Sequence, residues 1–416
     1  MKIKPGLSRI RMLCASLGEP QDKLRFVHVA GTNGKGSIVT MVANVLRLSG
    51  YVVGKFTSPY LVDFCEKIVV NEEQISLAAE ARIRKEVLRA AKDLEDDPPT
   101  EFEIATAIAF CYFAERKCDI VVLEVGLGGA LDSTNVIKTP DVCAISSISF
   151  DHENLLGHSL RKIACEKAGI IKEGADVVVS PWQHQEVQSE IERVAECCKE
   201  VNLIFPKVCK EELAIKTTFE STSFVYDEAQ YDLVLPGAHQ VQNCITVIEI
   251  CKCLKKRGFD INLKVLPKYL SDVRFAGRLE IISRNPLIIL DGTHNVGGFE
   301  ALCEYIDTNL SDKKIISLVS MLTDKAYRDC INMLAKRASS LIFTKSKNER
   351  AAPSKELANG IFGPDVYFDD DLDLAVAKAK EWLQSADVLI ITGSLYLLGD
   401  AKKMILSRSG KEEKVC

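Results

Sequence analysis

Lys35 and Ser37 stand one glycine apart at the end of a glycine-rich turn, Gly31-Thr32-Asn33-Gly34-Lys35-Gly36-Ser37. Those residue types in that order suit one chemistry. The glycines let the backbone bend tightly and point several N–H groups inward, where an anion can settle. Lys35 can reach the outer phosphates of a nucleotide, and the Ser37 hydroxyl can ligate a metal ion that travels with them. The spacing departs from G-x-x-x-x-G-K-[ST], in which lysine and hydroxyl are adjacent.

The flanking residues supply the elements such a cradle requires. Phe26-Val27-His28-Val29-Ala30 is an apolar, β-branched run that reads as a buried strand, and Ile38, Val39, Met41, Val42, Val45 and Leu46 then recur at helical spacing. Strand, loop and helix in that order set a helix N-terminus, with about half a positive charge, behind the loop. A generic strand-to-helix turn with a surface lysine is the plainer alternative, and the presence of both flanking elements argues against it.

Three further segments would bring polar groups to the same edge. Tyr51 to Phe56 reads as a strand followed by Thr57-Ser58-Pro59-Tyr60. Asp119 to Val125 reads as a buried strand with Glu124 near its end, before Gly126-Leu127-Gly128-Gly129. Val142 to Ser149 reads as a strand leading to Phe150-Asp151-His152. Ligands of open α/β sheets gather outside the C-terminal strand ends, so Ser58, Glu124 and His152 would meet there. A carboxylate closing an apolar strand is costly unless it is paired or binds metal. Each of the three, taken alone, also has a structural reading.

The chain's 416 residues exceed one ordinary core and predict two domains. With 47% hydrophobic and 27% charged residues the composition is globular, and a net charge of −5 offers no electrostatic reason to bind nucleic acid. No apolar run approaches membrane-spanning length, so no membrane span is expected. The 15 cysteines are odd in number and lack paired C-x-x-C spacing, and the N-terminus does not read as a signal peptide. The expectation is reduced thiols in the cytoplasm. Before Gly31 there is room for one short helix, around Leu7 to Leu17, so the first domain is expected to be the nucleotide domain itself.

Further along, helices are predicted over Ala78–Leu94, Phe102–Arg116 and Leu160–Ile171, the last carrying Cys165-Glu166-Lys167-Ala168-Gly169. A β-rich region from Thr217 to Val225 and a strand from Tyr231 to Leu235 follow, then a helix that opens at Pro236–Gln240, contains Asn243 and runs to Leu254. From Leu287 strands at 287–290, 315–319, 341–344 and 388–392 alternate with helices, which predicts a second open, mostly parallel sheet. Its strand ends carry Asp291-Gly292-Thr293-His294-Asn295 and Thr392-Gly393-Ser394. The fold class expected is α/β: an N-terminal P-loop, mononucleotide-binding domain over residues 1–283 and a C-terminal Rossmann-like domain over 284–416. Ser409 to Cys416 reads as a frayed tail.

The motifs GTNGKGS, TSPYL, PTEFE, EVGLGG-x-LDSTN, DH-x-x-x-LG, EKAGI, HQ-x-x-N, GRLE, DG-x-HN and ITGSLYL occur in that order over nearly the whole chain. The set resembles the folylpolyglutamate synthase/dihydrofolate synthase family, within the Mur ligase superfamily. The resemblance implies an ATP-dependent ligase that joins L-glutamate to dihydropteroate or to the last glutamate of a folate through an acyl phosphate. It implies Gly34, Lys35, Gly36 and Ser37 on the ATP phosphates, with Asn243, Arg278 and Asp291 completing the ATP site. Ser58, Glu124 and His152 would hold magnesium, and a carbamylated Lys167 would serve a second magnesium; a monovalent cation is a further candidate. Thr100, Glu101, Phe102, Glu103, Leu131, Asp132 and Ser133 would line a pterin site, and His294, a catalytic candidate with Lys35 and Lys167, would stand with Ser394 on the glutamate side. ATP held by both domains would allow closure to expel water, which an acyl phosphate requires. A monomer acting on small molecules, without nucleic acid or membrane, is expected.

The sequence departs from that family's usual residues at Tyr60, Asp63, Cys65, Lys67, Ala130, Thr293 and Val296. None is a proposed phosphate or magnesium ligand, so the departures leave open the choice among dihydropteroate, reduced folates and both. A cell-wall Mur ligase would carry a further domain before the phosphate loop. A non-catalytic folate- or nucleotide-binding relative would have lost Lys35, Glu124, His152 or Lys167. A plain P-loop kinase or ATPase would not explain the second sheet.

Overall fold

A strand flanked by helices on both sheet faces is mostly apolar, and Phe26–Ala30 (β1), buried at every residue, has that character except at His28. The structure, a computed structural model, describes residues 4–94 and 96–406; the tail Ser409–Cys416 lies outside the described residues. Around β1 assemble β2 (Val53–Phe56), β3 (Ile68–Val70), β4 (Glu73–Gln74), β5 (Ile120–Glu124), β6 (Val142–Ile145), β7 (Asp176–Val179) and β8 (Asn202–Ile204). Their order in the sheet is β4-β3-β2-β5-β1-β6-β7-β8. The run from β2 through β8 is parallel, and β3 and β4 add antiparallel strands at one edge.

Side-chain alternation assigns the two faces. Helix Glu101–Glu115 covers one half of one face, where Ile104 and Ile108 pack with Phe26, Phe56, Val121 and Leu123. Helix Leu160–Ala168 covers the other half, where Ile163 and Ala164 pack with Ala30, Cys143 and Ile145. The opposite face receives helix Lys35–Leu48, against which helix His239–Lys256 packs.

The chain divides into two compact units. The first holds the chain through Ile215 with Ser223–Leu233 and His239–Val273; the second holds Lys216–Thr222, Val234–Ala238 and the chain from Arg274. The boundary expected at residues 283 and 284 falls inside β9 (Glu280–Arg284), which pairs antiparallel with β10 (Leu287–Asp291) in the second unit. That sheet continues with β11 (Ile315–Val319), β12 (Ser340–Phe343), β13 (Asp365–Phe368) and β14 (Val388–Thr392), in the order β9-β10-β14-β11-β12-β13. All its pairings beyond β9 are parallel.

Strands β3, β4, β9 and β13 were not separately expected. Of these, β4 and β13 are mostly exposed edge strands and β9 is only half-buried, so β4, β9 and β13 lack the apolar signature of β1 or β14. The strand expected over Val142–Ser149 stops at Ile145, because residues 146–149 turn to bond the glycine-rich loop. Every described cysteine is a free thiol. Among the described residues no helix is long and apolar enough to cross a membrane.

Candidate functional site

The glycine-rich turn leaves β1 at Ala30 and enters its helix at Lys35. Gly31 (φ +143°) and Gly34 (φ +89°) hold conformations that side chains rarely adopt, and both are packed closely: a Cβ on Gly31 would overlap the Ser146 hydroxyl, and one on Gly34 would overlap the Asn243 side chain. Asn243 reaches the loop from helix His239–Lys256, with its Nδ2 donating to Gln240 Oε1 at 2.9 Å. From the other side the run after β6 clamps the loop. The N–H groups of Thr32 and Asn33 donate to Ser147 O at 2.8 and 3.3 Å. Thr32 Oγ1 donates to Ser149 O at 3.1 Å, and Ser147 Oγ donates to Asn33 O at 3.2 Å. The serines of this clamp were missed in the sequence because they read as a continuing strand.

Inside the turn, Lys35 Nζ donates to Gly31 O at 3.0 Å and to Thr32 O at 3.1 Å. Lys167, in the last turn of helix Leu160–Ala168 and only 4% exposed, donates from Nζ to the same Gly31 O at 2.8 Å. Two lysines therefore meet at one carbonyl of the cradle. Gly36 and Ser37 are buried in the first helical turn. Gly129 packs against the backbone of Lys167's turn: a Cβ there would lie 2.6 Å from Glu166 O.

The strand order β2-β5-β1-β6 brings four sequence candidates to consecutive strand ends. Ser58 follows β2, Glu124 closes β5, the cradle follows β1 and His152 lies beyond β6. Ser58 N donates to Glu124 Oε2 at 3.1 Å, and the Glu124 carboxylate is buried. Burial holds the ammonium groups of Lys55 and Lys67 below their usual range, with the Glu124 charge opposing that effect in both. His152 adopts φ +51° at the start of the short helix Glu153–Leu156, with Nε2 3.9 Å from Asp151 Oδ2. Among the described residues no group of three or more His, Cys, Asp or Glu side chains is arranged to hold a metal. A hydroxyl, one buried carboxylate and one imidazole still fit magnesium, which keeps several waters and takes only one or two carboxylates from a protein.

The pterin-side candidates divide by what their polar atoms do. Thr100 and Glu103 form a capping box at the start of helix Glu101–Glu115: Thr100 N donates to Glu103 Oε2 at 2.7 Å and Glu103 N to Thr100 Oγ1 at 3.2 Å. Arg9 Nε, unremarked in the sequence, donates to both Glu103 oxygens at 3.1 Å. Asp132 Oδ2 accepts from Leu127 N at 2.8 Å, and Oδ1 accepts from Thr134 N at 3.0 Å and Thr134 Oγ1 at 2.6 Å. Burial pushes the Asp132 carboxyl up, and those hydrogen bonds pull the other way. Ser133 Oγ lies 2.9 Å from Thr106 Oγ1. Phe102, by contrast, offers surface: its ring lies 5.9 Å from that of Phe56, and a Cβ on Gly126 would fall 2.6 Å from its Cε1. Leu131 and Glu101 are exposed.

In the second unit, Asp291 closes β10 beside Thr392 of β14. Its carboxylate accepts from Leu279 N and Thr293 N, each at 3.0 Å; burial raises its pKa and the Arg278 charge opposes the rise. His294 Nδ1 is 2.8 Å from Gly292 O, a carbonyl, so the ring donates there. Gly393 N donates to Thr293 O at 3.0 Å, tying the two strand-end loops together. Asn295 caps helix Val296–Asn309, and Ser394 Oγ accepts from Tyr396 N at 3.2 Å at the start of helix Leu395–Leu406. His294 and Ser394 thus lie in loops at adjoining strand ends, the position at which open α/β sheets bind ligands.

Two family models match the chain. The Mur ligase middle domain matches residues 29–251, and the Mur ligase glutamate ligase domain matches residues 277–395. A dihydrofolate synthase/folylpolyglutamate synthase of Bacillus subtilis is 37% identical over 413 residues, spanning 97% of this chain and 95% of that one. The chain belongs to the dihydrofolate synthase/folylpolyglutamate synthase family of Mur ligases. Among solved structures, a Mycobacterium tuberculosis folylpolyglutamate synthase complexed with ADP superposes with a TM-score of 0.88 at 27% identity, covering 99% of this chain and 96% of that one. E. coli FolC in complex with DHPP and ADP superposes with a TM-score of 0.86 at 26% identity, covering 99% and 95%.

The structure gives physical settings to several residues read from the sequence as departures from the family's usual ones. Lys67 Nζ lies 5.5 Å from the ring centroids of both Tyr60 and Phe102 and 5.8 Å from that of Phe64, so three aromatic faces surround one ammonium. Asp63 caps the short turn Phe64–Lys67, reciprocated by Glu66. Ala130 packs on Gly169, whose Cβ would fall 2.6 Å from Ala130 Cα. Val296 occupies the first helical position after the Asn295 cap.

Proposed function

We propose that this enzyme uses ATP to join L-glutamate to the carboxylate of dihydropteroate, of a reduced folate, or of both, releasing ADP and phosphate. The observation that carries the reading is the cradle: a doubly clamped glycine loop with two lysines on one carbonyl, in a chain whose family is an ATP-dependent ligase family. ATP would phosphorylate the acceptor carboxylate, the glutamate amine would attack the acyl phosphate, and the tetrahedral intermediate would expel phosphate. Phosphoryl transfer is chiefly positioning and charge neutralisation. Gly34, Lys35, Gly36 and Ser37 would orient the phosphates, Asn243 would hold the loop against them, and Arg278 and Asp291 would be further ATP-binding residues.

Ser58, Glu124 and His152 would hold magnesium, which when bound neutralises charge on the phosphates. Lys167 would carry a carbamate, whose oxygens would suit a second magnesium. Phe102 and Leu131 would offer apolar surface to the pterin, with Thr100, Glu101, Glu103, Asp132 and Ser133 around it, and His294 and Ser394 would serve the glutamate. The test is phosphate release with glutamate and each pterin acid in turn, with the product identified by mass. Glutamate-dependent release with a mass gain of one glutamyl residue is expected for at least one acid. No product with any pterin acid would overturn the reading.

A further inference from the structure

His28 sits at the middle of β1, fully buried, on a strand otherwise built of apolar residues. By strand alternation it shares a face with Phe26 and Ala30. Phe26 belongs to the core under helix Glu101–Glu115 and Ala30 to the core under helix Leu160–Ala168, so His28 lies at the seam between two apolar clusters. A polar ring there carries a desolvation cost that a valine would not. The ring's hydrogen bond is specific: Nε2 lies 2.9 Å from Thr134 Oγ1.

The proton on that bond can be assigned. Thr134 Oγ1 has a single hydrogen, and it goes to Asp132 Oδ1 at 2.6 Å. The hydroxyl must therefore accept from His28, which makes His28 the Nε2–H tautomer. Nδ1 then carries only a lone pair, in keeping with its lack of a hydrogen-bond partner. Burial also drives the imidazole pKa down to about 3, so the ring is neutral at working pH. From Asp132 the chain of bonds continues through Oδ2 to Leu127 N, in the glycine run that follows Glu124.

We infer that His28 is a positioning residue: through Thr134 it fixes the Asp132 carboxylate, and with it both the Leu131–Ser133 segment and the Gly126–Gly129 turn. The inference rests on the reading that this segment lines the pterin site. His28 lies just behind the ATP loop in sequence, yet its bonds run to the pterin side, so its loss should be felt in pterin binding and not in ATP binding. An apolar residue would fill its volume but could not orient the hydroxyl.

The test compares steady-state kinetics of His28→Leu, His28→Gln, Thr134→Val and Ser133→Ala with wild type, each checked for thermal stability. His28→Leu should raise the KM for the pterin acid about tenfold and leave the KM for ATP within twofold. His28→Gln, whose amide can donate to Thr134, should recover most of that loss. Thr134→Val should match His28→Leu, and the double variant should be no worse than either. If His28→Leu lowers stability but leaves pterin KM unchanged while Ser133→Ala raises it, the relay is wrong and the ring only fills space. If neither variant changes pterin KM, the pterin-lining reading itself falls. Equal rises in the KM for ATP and pterin for His28→Leu would also overturn the relay.

Discussion

At the scale of single residues the predictions concern groups that would face substrate. Lys35 offers a fixed charge where the transferred phosphoryl group would sit, so Lys35→Ala should lower turnover at least about a hundredfold; near wild-type turnover would remove the loop from the ATP site. Phe102 packs on Phe56 and Gly126, and its ring also faces the Lys67 ammonium. Phe102→Ala should therefore raise the KM for the pterin acid well beyond any change in the KM for ATP, whereas equal changes would mark it as packing. Lys167 is a buried amine at the cradle carbonyl. An uncompensated positive charge there would repel magnesium, while a neutral amine can take up carbon dioxide and become an oxygen ligand. Lys167→Ala should be nearly inactive and should regain part of its activity in high formate or acetate, and Lys167→Arg should not. A fully active Lys167→Ala would end the carbamate proposal.

At the scale of elements, the loop's shape depends on close backbone approach as much as on glycine's freedom. Gly31 is the sharpest case, since its φ of +143° and its contact with Ser146 each exclude a side chain. Gly31→Ala should destabilise the protein by roughly 2–4 kcal/mol and raise the KM for ATP, read by thermal melting and by kinetics. An unchanged melting temperature would mean that the clamp from residues 146–149 yields easily. The strand, loop and helix around Lys35 were legible because period and glycine placement are local signals. The clamp was not, because Ser146 to Ser149 pair with residues more than a hundred positions away. For the same reason PTEFE reads as a substrate motif, although Thr100 and Glu103 also cap a helix and Glu103 binds Arg9.

At the scale of the whole molecule, burial of a neutral His28 couples folding to pH. Its pKa falls from 6.5 to about 3 in the folded chain, so the unfolded chain takes up the proton first as pH drops. The stability it supports is complete above pH 6.5 and is lost as pH falls from there toward 3, a contribution on the order of a few kcal/mol. His28→Gln should flatten the fall in unfolding free energy over that window, measured by denaturant titration between pH 7 and pH 4; an unchanged slope would mean that His28 is charged or exposed in the folded state. The sequence by itself determined the two α/β sheets, the phosphate loop and the order of the ligase motifs, because periodicity, glycine turns and strand-end placement are written in neighbouring residues. Tertiary structure alone decided which strand ends adjoin, that two lysines separated by 132 positions share one carbonyl, that three rings enclose Lys67, and that the Asp132 carboxylate is held by the fold. Those facts depend on sheet order and on which polar atoms burial forces to find partners, and neither is encoded within a short stretch of chain.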